Sequence, residues 1–150
     1  MATWTAWCDG SAIPNPGRMG LGVVLVSPDG TRHALSRASQ DVGCNNDAEL
    51  RAVMLALEEL KVRGALHVRV YSDNSVVVAQ LGGSFAGMDN VLAPIVRLAA
   101  AFDAARTLAA TFEQFRIDWI PRSRNAEADA LARSALGAGP KMRKPKHARR

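Results

Sequence analysis

A chain of 150 residues, 48% of them hydrophobic, is long enough to bury a core without disulfide or metal staples, and it reads as one domain. Its two cysteines, Cys8 and Cys44, are far apart with no CxxC spacing, which excludes a zinc knuckle and a thiol redox motif and favours a reduced, cytoplasmic compartment. The net charge of +5 is uneven: residues 139–150 (GPKMRKPKHARR) carry six of the 19 basic residues and no acid, so a near-neutral domain over 1–138 is expected to precede a flexible, phosphate-seeking tail over 139–150.

In chain order, residues 3–9 alternate as a strand and run into SAIPNPGRMG, a turn by its prolines and glycines. Residues 20–27 (GLGVVLVS) form a second strand, Pro28-Asp29-Gly30 a tight turn, and residues 31–38 (TRHALSRA) a third strand, which makes an antiparallel meander. From residue 47 to 63 the period becomes helical, with Leu50, Val53, Met54, Leu57 and Leu60 on one stripe, Asn46 or Asp47 able to cap the start, and Gly64 past the end. Residues 67–72 are a fourth strand, 75–81 a short helix, 90–106 a longer one, 112–120 a fifth strand, and 125–136 a closing helix with Asn125 as its expected cap. No apolar run is long enough to cross a bilayer, and the N-terminus lacks the pattern of a secretory signal, so a soluble, unexported protein is expected. Three antiparallel strands followed by alternating helix and strand indicate an α/β protein, α+β by stricter naming, with a five-stranded mixed sheet and helices on both faces.

Ten of the fourteen carboxylates fall on exposed helix faces, turns or other bland positions. Four do not: Asp9 ends the first predicted strand, Glu49 lies in the first turn of the best helix, Asp73 ends the fourth strand in YSDNS, and Asp129 lies one turn into the last helix. Taken singly, Asp73 reads equally well as a helix cap, Glu49 as an acid facing the helix dipole, Asp129 as a solvated residue and Asp9 as a turn residue. If the first and fourth strands are parallel neighbours, however, Asp9 and Asp73 leave the same edge side by side. Carboxylates so placed repel unless one is protonated or a cation sits between them, and an all-oxygen set suits Mg²⁺ or Mn²⁺ rather than zinc.

At these residues the chain resembles a type 1 ribonuclease H: CDGSAIPNPG at 8–17, NNDAEL at 45–50, YSDNS at 71–75 and IPRSRNAEADALA at 120–132 occur in that family's order and spacing. The resemblance implies that Asp9, Glu49, Asp73 and Asp129 hold two Mg²⁺ ions, with Mn²⁺ as a substitute. Asp9 would be shared by both ions, Asp129 would serve the water-activating side, and Glu49 and Asp73 the leaving-group side. Two such cations clamp the attacking and leaving oxygens of an in-line displacement at phosphorus. The implied activity is endonucleolytic cleavage of the RNA strand of RNA/DNA hybrids, leaving 5′-phosphate and 3′-hydroxyl ends. Telling RNA from DNA requires groups in reach of the 2′-hydroxyl. The resemblance assigns that groove to Gly10, Ser11, Ala12, Asn45, Asn46 and Ser75, and a phosphate pocket to Asn15, with Cys44 where a phosphate-binding Thr is expected. Arg122 and Arg124, with Asn125 after them, are read as loop contacts to substrate.

The departures from that pattern are a short PRSR loop without a histidine and the lack of a basic, tryptophan-bearing protrusion within 82–111. Two alternatives stand beside hybrid cleavage: a non-catalytic hybrid- or RNA-binding module of the same fold, and a nuclease that also takes double-stranded RNA. A proofreading exonuclease is disfavoured, because Gly10 and Ser11 replace the acid-x-acid pair usual on its first strand. The protein is read as a monomer with no obligate protein partner and no membrane association.

Overall fold

In a computed structural model, which describes residues 2–83 and 96–138, the alternating runs pair into five strands: β1 Thr3–Ile13, β2 Gly17–Val26, β3 Arg32–Gly43, β4 His67–Ser72 and β5 Gln114–Trp119. Their spatial order is β3-β2-β1-β4-β5. The first three strands form the expected antiparallel meander, and β4 and β5 add to it as parallel neighbours. The helices are α1 Asn45–Val62, α2 Ser75–Gln80, α3 Ala99–Ala109 and α4 Ala126–Ala135, with short 3-10 turns at Val96–Leu98 and Arg122–Arg124.

Pairing lengthens the meander beyond its local signals. Asp9 does not end β1: the ladder to β4 stops at Cys8↔Ser72, whereas the ladder to β2 continues through Asp9↔Gly22 to Ile13↔Arg18. Two caps also differ from expectation. Cys44 occupies the capping position of α1 without a side-chain bond, so neither Asn46 nor Asp47 caps it. Asn125 precedes α4 but turns its side chain elsewhere. The expected helix over 90–106 is represented by the 3-10 turn and α3; its residues 90–95 lie outside the described residues, as does the tail.

Two glycines set the distance between sheet and helices. A Cβ on Gly10 would lie 2.2 Å from the Ala48 carbonyl, and one on Gly22 would lie 2.1 Å from the Ala128 carbonyl. Gly22 pairs with Asp9, and side chains alternate along a strand, so Gly10 and Gly22 open on opposite faces. The helix α1 therefore packs on one face and α4 on the other. On the α1 face, Leu50, Val53, Leu57 and Leu60 bury against Cys8, Val23 and Leu25, and Phe102 of α3 joins the same core. Each such side chain contributes roughly 1.5–3 kcal/mol of burial free energy.

Candidate active site

The strand ladders make a fork. β1 stays paired to β2 while parting from β4 after Cys8 and Ser72, and the next residues of the two parallel strands are Asp9 and Asp73. The missing side chain at Gly10 lets the N-terminal part of α1 come against β1. The helix starts at Asn45, two residues before the expected start, so Glu49 lies just past its first turn, and its Oε1 accepts a hydrogen bond from the Gly10 amide at 2.8 Å. One oxygen each of Asp9, Glu49 and Asp73 then lies within 4.8 Å of the others. The bare backbone of Gly22 admits α4 from the opposite face and brings Asp129 to the same cavity.

The capping duty that could have explained Asp73 belongs to its neighbour: Asn74 Oδ1 accepts from the Val77 amide at 3.0 Å. Asp73 instead accepts from Asn125 Nδ2 at 3.2 Å, and the same amide nitrogen donates to the Cys8 carbonyl at 2.8 Å. Trp119 Nε1 donates to the Asp73 carbonyl at 3.1 Å. Asn125 and Trp119 thus position the carboxylate by its side chain and its backbone.

Burial and mutual repulsion leave the acids short of compensating charge. Burial, reinforced by Asp73 and Asp129 and eased by a hydrogen bond from Glu49, pushes the Asp9 carboxyl up to about 7. Burial, then Asp9 and Asp73, raises Glu49 well above the ordinary range. Burial, then Glu49 and Asp9, pushes the Cys8 thiol up. A pocket that favours protons this strongly is one that a divalent cation would stabilise, and its donors are hard oxygens suited to Mg²⁺ or Mn²⁺.

The surrounding cavity, about 440 Å³, is also lined by Gly10, Ser11, Ala12, Asn45, Asn46, Ser75 and Arg122. Asn45 Oδ1 accepts from the Ala12 amide at 2.9 Å, and Asn46 Oδ1 accepts from Asn74 Nδ2 at 2.7 Å. In both, the acceptor is used internally and the amide NH₂ remains as donor. Asn15 stands behind this wall, its Oδ1 accepting from the Asn45 amide at 3.1 Å. Cys44 Sγ meets Arg97 Nη2 at 2.8 Å outside the cavity; burial would raise that thiol, but the Asp47 amide and Arg97 bring it below its usual value. Arg124 and Asn125 line a different cavity, so PRSR sends its two arginines to separate sites. Sequence reading missed Asn74 and Arg133, which also line the cavity around the four acids. The spacing of an Asn three residues before Val77 would have found the first; Arg133 on α4 carries no such local signal.

Residues 8–135 match the family model described as reverse transcriptase-like. The structure of ribonuclease H1 from the archaeon Halobacterium salinarum is 31% identical, with a TM-score of 0.79 over 90% of this chain and 98% of that one. This chain belongs to the type 1 ribonuclease H family. A ribonuclease H1 isolated from compost, solved in complex with an RNA/DNA hybrid, is 29% identical with a TM-score of 0.74, covering 89% of this chain and 96% of its own. A bifunctional protein of Mycobacterium tuberculosis is 33% identical over 132 residues, which are 87% of this chain but 34% of that protein. The chain therefore spans about a third of that relative. The family-model match and the shared fold make the four-motif resemblance in the sequence a family relationship.

Proposed function

We propose that this protein is an endonuclease that hydrolyses the RNA strand of RNA/DNA hybrids, leaving 5′-phosphate and 3′-hydroxyl ends. The convergence of Asp9, Glu49 and Asp73 on one point, with Asp129 on the same cavity wall, carries the reading. Two divalent cations held by these four carboxylates would supply the clamp on attacking and leaving oxygens and lower the pKa of water to a nucleophilic range. Glu49 is suited to its share because one oxygen is fixed by the Gly10 amide while the carboxyl faces Asp9 and Asp73, where a cation would take the place of the shared proton. Asn45 and Asn46, with acceptors already engaged, present donors to ribose hydroxyls along the groove. Asn74 fixes Asn46 and so contributes to that groove from α2. Arg122, and Arg133 beside Asp129, offer positive charge to the scissile region of the backbone.

A purely binding module is disfavoured by electrostatics. Raised carboxylates destabilise a metal-free site, whereas a module without chemistry would be stabilised by neutral residues there. The deciding experiment is a gel of end-labelled hybrid, duplex DNA and duplex RNA with Mg²⁺, with Mn²⁺ and with chelator. Metal-dependent cleavage of the hybrid RNA strand alone is expected. An uncut hybrid with intact binding would establish the module, and equal cutting of duplex RNA would widen the substrate class.

A further inference from the structure

The α4 face of the sheet carries an aromatic and cationic surface that the catalytic reading does not use. Successive rows on that face are Asp9 and Asp73, then Trp7 paired with Tyr71, then Thr5 paired with Arg69. Trp7 stacks on Tyr71 with centroids 5.5 Å apart, and the Arg69 guanidinium lies 5.4 Å from the Tyr71 ring. Trp7 also walls a cavity of about 210 Å³ together with Val24, Arg124, Asn125 and the ion-paired Arg32 and Glu127. Asn125 of this cavity is tied to the catalytic one by its Nδ2, which donates to the Cys8 carbonyl and to Asp73. Both partners are acceptors, so the amide orientation is determined and Oδ1 faces away from them. Asn125 is 1% exposed, and its Oδ1 has no hydrogen-bond partner among the described residues.

We infer that this second cavity receives an unpaired nucleobase from the nucleic-acid strand that runs out of the catalytic cavity, stacked on Trp7. An indole wall offers a stacking surface that every base can use. The free carbonyl of Asn125 calls for an N–H donor, and Arg124 for an acceptor or a phosphate; a nucleotide joins a stacking face, N–H donors and an anionic phosphate in one unit, whereas no aromatic protein side chain carries the anion. The row of Trp7 lies two residues before that of Asp9, roughly 7 Å along the strand, the rise of about two stacked bases. This inference rests on the hybrid-cleaving reading, because the base belongs to the same substrate, and it adds a preference for hybrids that continue into single strand.

The test is binding without chemistry. Full-length protein in chelator is titrated by fluorescence anisotropy with a blunt RNA/DNA hybrid and with the same hybrid carrying a single-stranded RNA extension of about four nucleotides. The extension should tighten binding roughly tenfold, the contribution of one or two stacked bases. Trp7→Leu and Arg124→Ser should each remove most of that gain, while Trp7→Phe keeps it. Equal dissociation constants for the two hybrids, or a gain that survives both Trp7→Leu and Arg124→Ser, would overturn the inference. If thermal melting shows that Trp7→Leu does not fold, Arg124→Ser decides alone. Failure to bind even the blunt hybrid would instead sink the functional reading and this inference with it. Tryptophan emission that changes with protein concentration alone would assign the cavity to a second copy of the chain and also overturn it.

Discussion

At the scale of single residues, Asp73 separates a structural acid from a chemical one. Its capping role is taken by Asn74, so Asp73→Asn should leave the helix α2 and the melting temperature nearly unchanged. Cleavage in Mg²⁺ should fall by roughly 10²–10³ or more, as for other losses of groups that stabilise transition-state charge, measured under single-turnover conditions. Wild-type rates in that variant would remove Asp73 from the mechanism. Asp9 makes a prediction about pH. Its folded carboxyl titrates near 7 against an ordinary 3.8, so the protonated form is favoured by folding. That stabilisation is complete below about pH 4 and is lost as pH rises through about 7. Asp9→Asn cannot ionise, so in chelator at pH 8 it should melt higher than the wild type by an equivalent of about 1–3 kcal/mol, with the gap closing by pH 4. Calorimetry on both proteins across that range checks it, and a pH-independent gap would contradict the assignment.

At the scale of elements, the sequence was most informative where periodicity was strong. The helical stripe of Leu50, Val53, Leu57 and Leu60 and the run HVRVYS locate α1 and β4 directly, and with them Glu49 and Asp73. It was least informative where an element owes its extent to a partner. The residues from Asp9 to Ile13 contain glycine, serine and alanine, weak strand formers by themselves, and stay extended because β2 pairs with them. The roles of Gly10 and Gly22 were illegible for the same reason: Gly10 beside Asp9 reads as a turn, and Gly22 as one more residue of a strand, until the helix carbonyl facing each is known. Substitution should be damaging at both sites. Gly10→Ala places a methyl group against the Ala48 backbone, which is rigid, and should destabilise by about 1–3 kcal/mol while displacing Glu49. A chemical-denaturation midpoint and a Mg²⁺ titration of activity would show both effects; an unchanged metal requirement would mean that α1 can retreat without moving its acid.

At the scale of the whole molecule, charge is divided between the two ends of the problem. The domain gathers acids at the fork, while six cations sit in the last twelve residues of the sequence. Deleting residues 139–150 should weaken hybrid binding chiefly at low salt and flatten the slope of log K against log salt, by up to about 0.9 for each phosphate that the tail neutralises. Identical slopes for the full-length and truncated proteins would show that the tail neutralises no phosphates.

The fork also has a bearing on ion size. Its prongs are spaced by main-chain ladders on both sides of β1, and Glu49 is pinned to an amide, so the acids have little freedom to spread. Calcium wants ligand distances of 2.3–2.6 Å and six to eight oxygens, against 2.0–2.1 Å and an octahedron for magnesium. It should therefore lodge between the prongs at the wrong coordination number, occupying the seat without supporting turnover. Calcium added to a magnesium reaction is expected to act as a competitive poison, and the ratio of the two ions, rather than their sum, should set the rate.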